Sequence, residues 1–390
     1  MARIAIIINS LFAIGGEERV VSIMANEFAK RHDVTIYTSE TRRYDNEKKN
    51  NYYISDKINV EVVDPKADSF IDKCIKIVYR NVGFPSSIVF QKVLQKVFYP
   101  EDYLKLWIER INSEGYDIVI SISGANTMLL GLIKEQIDSK CISWEHNSYE
   151  AYFSRRTSPY KSREKLFSYS ARKLDKVIVL NEKYREKYKQ RLNVDSIVIP
   201  NPKSFSSDIK ANISERCIVS CGRLDKEKGF DDLIFAFDAF HKEKPDWKLK
   251  IIGGGRLENQ LRKQIDRLGL SESILITGYT DKVVEELSRA SIFVMTSRYE
   301  GFPMTITEAL EMGLPVIAYG IPALNPLVTS GVEGLIVPPF DRKKLVDAMI
   351  SLAQDVKKRN NMSKAAIEKA KTLTPEMVYE KWDELFEEVL

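Results

Sequence analysis

Two glutamates, Glu300 and Glu308, enclose the run Gly301-Phe302-Pro303-Met304-Thr305-Ile306-Thr307. The apolar stretch Ser291-Ile292-Phe293-Val294-Met295 before them reads as a buried strand. Pro303 would open a helix at its first turn and Gly313 would close it. Glu300 then sits in a strand-to-helix loop, and Glu308 lies about a turn and a half into the helix. The amides of Phe302, Met304 and Thr305 fall among the unpaired donors of a helix N-terminus, a ready site for a phosphate or sugar oxygen. Two acids flanking an anion site suit a ligand that carries both phosphates and hydroxyls, and a nucleotide-sugar is the obvious candidate.

The positive charge that such a ligand needs stands upstream, in Gly222-Arg223-Leu224-Asp225-Lys226-Glu227-Lys228-Gly229. A guanidinium such as that of Arg223 can clamp two phosphate oxygens, and Lys228 would add a point charge. Taken alone, the same residues read equally well as a solvated basic loop. Ile251-Ile252-Gly253-Gly254-Gly255 and Gly278-Tyr279-Thr280 are strand ends running into glycine, which permits close backbone passage or a plain turn. Near the N-terminus, Gly15-Gly16-Glu17-Glu18-Arg19-Val20 separates the apolar run 3–8 from a helical pattern over 17–30. Glycine there lets a ligand approach a helix N-terminus. A simple connector is the competing reading, and the dinucleotide fingerprint G-x-G-x-x-G is absent.

Ser123-Gly124-Ala125-Asn126 and Glu145-His146-Asn147 each follow an apolar run, on the side where open α/β sheets bind ligands. His146 is one of three histidines; His32 precedes a strand, His241 ends an amphipathic helix, and both read as structural. Tyr149, Arg155 and Arg156 belong to a stretch, 149–173, in which basic residues alternate with aromatics. That composition could bind nucleic acid, but no nucleic-acid motif accompanies it. A phosphate-bearing, sugar-stacking acceptor fits it better.

Placing these groups takes alternating strands and helices. A chain of 390 residues, 44% hydrophobic and 29% charged, describes an ordinary globular protein of two or three domains. Apolar runs at 3–8, 33–38, 58–63, 117–123, 140–144, 176–180 and 196–199, with helical periodicity between, predict an α/β domain over 1–199. Pro200-Asn201-Pro202 and the polar residues after it predict a linker over 200–214. Further runs at 217–221, 248–252, 273–277, 291–296, 315–319 and 333–337 predict a second α/β domain over 215–374. An amphipathic helix over 375–390 ends the chain.

The four cysteines form no disulfide or zinc pattern, and the N-terminus reads as a first strand, so a reducing cytoplasm is expected. No apolar run reaches the ~20 residues of a bilayer-spanning helix. The basic excess is confined to the first half: residues 1–200 carry 32 Lys+Arg against 26 Asp+Glu, the remainder 27 against 29. That asymmetry points to an anionic partner of the first half. Between Lys73 and Pro100 there is no acidic residue, while lysines punctuate two helical apolar patterns separated by Gly83-Phe84-Pro85. Such a pair suits an anionic membrane surface, or equally a core-facing pair with a solvated lysine face. The lysine-rich stretch 42–51 reads as a loop.

The two glutamates with Gly-Phe-Pro after the first, the Gly-Gly-x-Glu-Arg-Val loop, Gly-Arg-Leu followed by Lys-Gly, and Glu-His-Asn together resemble the signature of the large retaining glycosyltransferase family 4 (group 1). The matches run from Gly15 to Glu308 in family order. The resemblance implies a GT-B fold: two Rossmann-like domains facing across a cleft, with the terminal helix crossing back to the N-terminal domain. It assigns the acceptor to the first domain and the nucleotide-sugar to the second. Donor contacts would come from Gly15, Gly16, Arg223, Lys228, Gly253, Tyr279, Glu300, Gly301, Phe302, Pro303, Met304, Thr305 and Glu308. Glu300 would bond the sugar hydroxyls, Glu308 the ribose diol, and Thr305 with its neighbouring amides the phosphate. His146 would approach the transferred sugar and join Glu300, Arg223 and Lys228 as the catalytic set. Ser123, Asn147, Tyr149, Arg155 and Arg156 would face the acceptor.

The resemblance further implies retention of anomeric configuration. No Asp-x-Asp occurs in the chain, which fits an enzyme without metal or other cofactor, cationic side chains and a helix terminus doing the work of a divalent ion. The expected reaction moves a hexose from a UDP-sugar, with GDP-mannose second, to a saccharide acceptor. A lipid-linked oligosaccharide of capsule, O-antigen or exopolysaccharide synthesis is the expected acceptor, at the inner face of a bacterial membrane. A sugar-nucleotide epimerase of the same fold and a non-catalytic nucleotide-sugar-binding partner subunit are the competing readings.

Overall fold

The computed structural model describes residues 1–39, 52–63, 88–155 and 158–390. The stretch 42–51, the basic amphipathic segment up to residue 87, and Arg156 lie outside the described residues. The chain forms two compact units, Met1–Asn201 with Pro375–Leu390, and Pro202–Thr374.

The first unit runs β1 (Arg3–Ile8), α1 (Gly16–Phe28), β2 (Asp33–Thr38), β3 (Asn59–Val62), α2 (Ile88–Phe98), α3 (Glu101–Glu114), β4 (Ile118–Ile122), α4 (Ser123–Ile133), β5 (Lys140–Trp144), α5 (Glu164–Ala171), β6 (Lys176–Val179), α6 (Glu182–Leu192) and β7 (Ile197–Val198). Its strands form one parallel sheet in the order β3-β2-β1-β4-β5-β6-β7. The uninterrupted apolar runs are explained by burial on both faces: β4 is buried throughout, and β1 and β2 everywhere but their first residue.

The second unit runs β8 (Cys217–Cys221), α7 (Phe230–Glu243), β9 (Lys248–Ile252), α8 (Glu258–Arg267), β10 (Ile274–Ile276), α9 (Val283–Ser288), β11 (Ile292–Met295), α10 (Met304–Glu311), β12 (Val316–Tyr319), β13 (Gly334–Val337), α11 (Arg342–Gln354) and α12 (Val356–Lys371). Its parallel sheet has the order β10-β9-β8-β11-β12-β13. The core under it gathers Phe237, Phe240, Trp247, Leu249, Ile292 and Met349.

The last helix, α13 (Pro375–Val389), returns to the first unit. Its apolar stripe carries Tyr379, Trp382 and Phe386, whose rings lie 5.2–6.0 Å from that of Phe28 on α1. Arg31 and Lys176 fasten its outer face through Asp383 at 2.9 Å and Glu388 at 2.5 Å. His32 is structural as expected, its Nε2 lying 2.9 Å from the Tyr379 hydroxyl.

The stretch 200–214 is not a free linker. Its amides at Lys203, Ala211 and Asn212 donate to the carbonyls of Leu373, Met312 and Ser288, all in the second unit. Polar residues there were legible as a linker because sequence shows their polarity and not their partners. In both sheets the strand order reverses once, between β1 and β4 and between β8 and β11, which is where doubly wound sheets open a crevice at their carboxyl ends.

Candidate active site

In the second unit the β8/β11 reversal brings together two loops that sequence separates by about seventy residues. After β8 the chain turns through Gly222 and Arg223 into a short 3-10 turn, Lys226–Lys228, and enters α7. After β11 it passes Thr296 and Ser297 to Glu300 and enters α10. Gly229 lets the two loops touch. Its φ is +67°, and a Cβ built there would lie 2.3 Å from the carbonyl oxygen of Thr296, so only glycine fits. The Thr296 hydroxyl completes the join by donating to the Gly229 carbonyl at 2.9 Å.

That join sets Lys228 against Glu300. The ammonium donates to Glu300 Oε1 at 2.7 Å, and the Ser297 hydroxyl donates to the same oxygen at 2.6 Å. Both side chains are largely buried, 18% and 12% exposed, so little solvent screens the pair. Arg223 is placed differently: its guanidinium is 59% exposed, 3.7 Å from Asp225 and 3.5 Å from Glu227. Of the four residues expected to be catalytic, the structure brings two into contact and leaves Arg223 beside them with weak local partners.

Pro303 precedes α10 as its capping residue, one position earlier than expected, and no side chain caps the helix. The Ile306 amide turns back to the Pro303 carbonyl, while those of Met304 and Thr305 lie before the first intrahelical acceptor. Gly313, at φ +72°, follows the last turn as expected. Thr305 is partly exposed, and Glu308 is buried near Cys221 at the end of β8. Burial, followed by the charge of Glu308, pushes the Cys221 thiol well above its ordinary pKa.

Gly253 has a use the sequence did not reveal. At φ +136°, a Cβ there would lie 2.0 Å from the Gly222 carbonyl oxygen, and its amide donates to Gly278 at 2.9 Å. It serves the close approach of three strand ends. Tyr279 beyond them is 65% exposed. Ser297 and Thr296, which seat Glu300 and the Gly229 turn, were missed; their position at a strand's carboxyl end was the available signal.

In the first unit the β1/β4 reversal gathers a different set. Gly15 precedes α1 in extended backbone, its amide donating to the Tyr52 hydroxyl at 3.1 Å, and Gly16 is exposed. Ser123, directly after β4, holds a left-handed φ of +66° unusual for serine, and its hydroxyl donates to Glu17. Burial raises the Glu17 pKa to about 7; the Ser123 bond works against that, and the charges of Glu18 and Glu145 add to it.

Glu145 is fully buried at the end of β5. One oxygen accepts from Thr127 at 2.5 Å and Ser143 at 2.6 Å, while the other has no hydrogen-bond partner among the described residues. Next to it His146 is buried, its ring 4.5 Å from that of Trp144 and its Nε2 also without a partner among the described residues. Burial drives the His146 pKa down to about 3, so the imidazole is neutral at physiological pH. It can donate or accept a hydrogen bond there but cannot act as a resident acid.

Of the remaining acceptor-side residues, Asn147 gives its carbonyl to the Tyr188 hydroxyl at 3.2 Å, and Tyr149 donates to Glu164 at 2.7 Å. The Arg155 amide donates to the Ser158 hydroxyl at 2.9 Å. Glu17, in the first turn of α1, and Glu145, buried at the end of β5, were missed although each sits inside a quoted motif, because the partners of an acid leave no mark in composition.

Two parallel-sheet, Rossmann-like units with the last helix returned to the first are the architecture of the GT-B glycosyltransferases. Solved structures of that class agree. Sucrose-phosphate synthase from Thermosynechococcus elongatus superposes with a TM-score of 0.77 at 18% identity, over 100% of this chain and 99% of its own. HepE from Anabaena, in complex with UDP, gives 0.76 at 16% identity over 100% of both chains.

The family model described as Glycosyltransferase Family 4 matches residues 14–202, and that described as Glycosyl transferases group 1 matches residues 203–369. The chain belongs to this glycosyltransferase family. A glycosyltransferase of Haemophilus influenzae is 25% identical over 98% of this chain and 99% of its own. The amylovoran biosynthesis glycosyltransferase AmsD of Erwinia amylovora is 23% identical over 99% of both. An exopolysaccharide phosphotransferase of Streptomyces coelicolor is 30% identical over 56% of this chain, which spans only 24% of that relative's length.

Proposed function

We propose that the chain is a retaining glycosyltransferase that moves a hexose from a nucleoside-diphosphate sugar to a saccharide acceptor in bacterial surface-polysaccharide synthesis. The observation that carries this reading is the buried Lys228–Glu300 pair at the entrance to α10. A lysine already held beside an acid can meet a phosphate without reorganising, while the acid faces hydroxyls. The first-turn amides of α10 and Thr305 take phosphate oxygens, Glu308 takes the ribose diol, and Arg223, largely exposed, swings onto the diphosphate.

In the transfer, the acceptor oxygen bonds to the anomeric carbon as the bond from that carbon to the phosphate oxygen breaks, its electrons leaving with the diphosphate. The acceptor's proton passes to the departing phosphate oxygen, so no resident base is required. Lys228, Arg223 and the helix terminus stabilise the charge that develops there, the task a metal performs elsewhere, and no metal or cofactor enters the scheme. In the first unit the neutral His146 is available to hydrogen-bond a sugar hydroxyl.

UDP-sugar is the favoured donor and GDP-mannose the second, supported by the UDP bound to HepE. AmsD supports a polysaccharide product. A lipid-linked acceptor would place the protein peripherally at the inner membrane face; among the described residues no helix is long and apolar enough to cross a membrane. The test is a panel of UDP- and GDP-sugars scored by protection against thermal unfolding, followed by product analysis with bacterial lipid-linked saccharides. Interconversion of the donor sugar without acceptor would instead identify an epimerase. Donor binding with no product from any acceptor would identify a binding subunit.

A further inference from the structure

The segment that enters the second unit is fastened to α10 by a buried ion triad that the transfer scheme does not use. Glu311, the last residue of α10, accepts Lys203 Nζ at 2.5 Å on one carboxylate oxygen. Its other oxygen accepts Lys210 Nζ at 2.7 Å and the Ser207 amide at 3.0 Å. The Lys203 and Glu311 side chains are each 6% exposed. Just past the helix, the Met312 carbonyl accepts the Ala211 amide at 2.8 Å, so side chains and backbone pin the same end.

Burying two unlike charges gains little over apolar packing in stability alone, since desolvation offsets the attraction. What the triad supplies is direction: three donors from one segment converge on a single carboxylate and leave its rotation no freedom. The helix has 8 residues, and a helix so short is ~12 Å long and too short to hold its own course. A shift of Glu311 therefore reaches the first turn almost undiminished. Glu308 stands one turn before Glu311, and Met304 and Thr305 open the same helix.

We propose that Glu311 is a positioning residue: with Lys203 and Lys210 it sets the axis and rotation of α10, and so the place where its first-turn amides and Glu308 meet a nucleoside diphosphate. The proposal rests on the donor reading given above.

The test compares the full chain with Lys203→Met/Glu311→Leu, which removes both buried charges together, and with Lys210→Ala, which trims only the half-exposed arm. Three quantities are read: the melting temperature, the Kd for UDP and for GDP, and hydrogen exchange of the amides over 304–312. The paired variant is expected to melt near the wild type yet bind the nucleotide at least about tenfold more weakly, as displaced groups do, with faster exchange in α10. Lys210→Ala should shift Kd and exchange in the same direction by less, and Lys203→Arg, which keeps a cation against Glu311, should leave both near wild type. An unchanged Kd and unchanged exchange in the paired variant would reduce the triad to a stabilising contact and overturn the proposal. If the paired variant does not fold, unchanged exchange in Lys210→Ala overturns it. If wild type binds neither UDP nor GDP, the donor reading fails, while exchange in α10 still decides whether the triad positions the helix.

Discussion

The carboxyl edges of the two sheets have the same topology and opposite chemistry. Beside β8 and β11 buried lysines meet carboxylates: Lys228 with Glu300, and Lys203, together with the half-exposed Lys210, with Glu311. Around β1, β4 and β5 the half-buried Glu17 and the fully buried Glu145 meet hydroxyls, and atoms of Glu145 and His146 have no partner among the described residues. A paired charge in a low-dielectric setting is fixed in place, whereas a buried acid among hydroxyls adjusts by changing its protonation. The difference is what the proposed roles require: a diphosphate met by the second unit and uncharged hydroxyls met by the first.

The largest test of that contrast is at the paired charges. Glu300→Ala and Arg223→Ala are each expected to lower turnover by roughly 10²-fold or more, as loss of comparable electrostatic groups does. Steady-state rates with the donor that the nucleotide-sugar panel selects measure it, and near-normal rates in both would sink the assignment. Lys228→Ala should fall as far, because it both removes the proposed phosphate partner and takes from Glu300 its buried countercharge.

A smaller effect is expected where backbone, not charge, joins the two loops. Gly229→Ala puts a methyl group against the Thr296 carbonyl at a left-handed φ. The cost should exceed about 1 kcal/mol, seen as a melting point lowered by at least ~2–4 °C. An unchanged melting point would mean that the loops do not depend on this contact.

These two positions also show what sequence made legible. The strands were readable because a sheet buried on both faces demands continuous apolar runs, and α10 because proline and glycine punctuate it. The long-range partnerships were not: Lys228 and Glu300 are 72 positions apart, Lys203 and Glu311 108, and nothing local marks either as paired. Gly253 was readable as a glycine turn but not as the place where one strand end passes another. The burial of Glu145 and the Ser123 bond to Glu17 had no signal because each acid looks like any surface one.

Protonation provides the next test, at the first unit's edge. Folded Glu17 keeps its proton up to about pH 7, whereas an ordinary carboxyl loses it near 4.5. Between those values the folded protein binds more protons than the unfolded chain, so Glu17 makes stability fall as pH rises through that window. Glu17→Gln, permanently neutral, should lack this fall. Its melting temperature relative to wild type should therefore be higher at pH 8 than at pH 5, and a constant difference would contradict the buried-acid account.

His146 gives the sharpest comparison, because its linkage has the opposite sign. An ordinary imidazole gains a proton near 6.5, but buried His146 resists until about pH 3. Below 6.5 the unfolded chain therefore binds the extra proton and the folded protein does not, so this residue makes stability fall as pH falls. His146→Gln should reduce acid sensitivity between pH 6 and 4 and leave the melting temperature's dependence between pH 7 and 8 as in wild type. The same measurement on Glu17→Gln should change the slope between about pH 5 and 7, and in the opposite sense. If His146→Gln altered the neutral limb instead, the imidazole would be titrating there, and the account of a buried, neutral ring that meets substrate only through a hydrogen bond would fail.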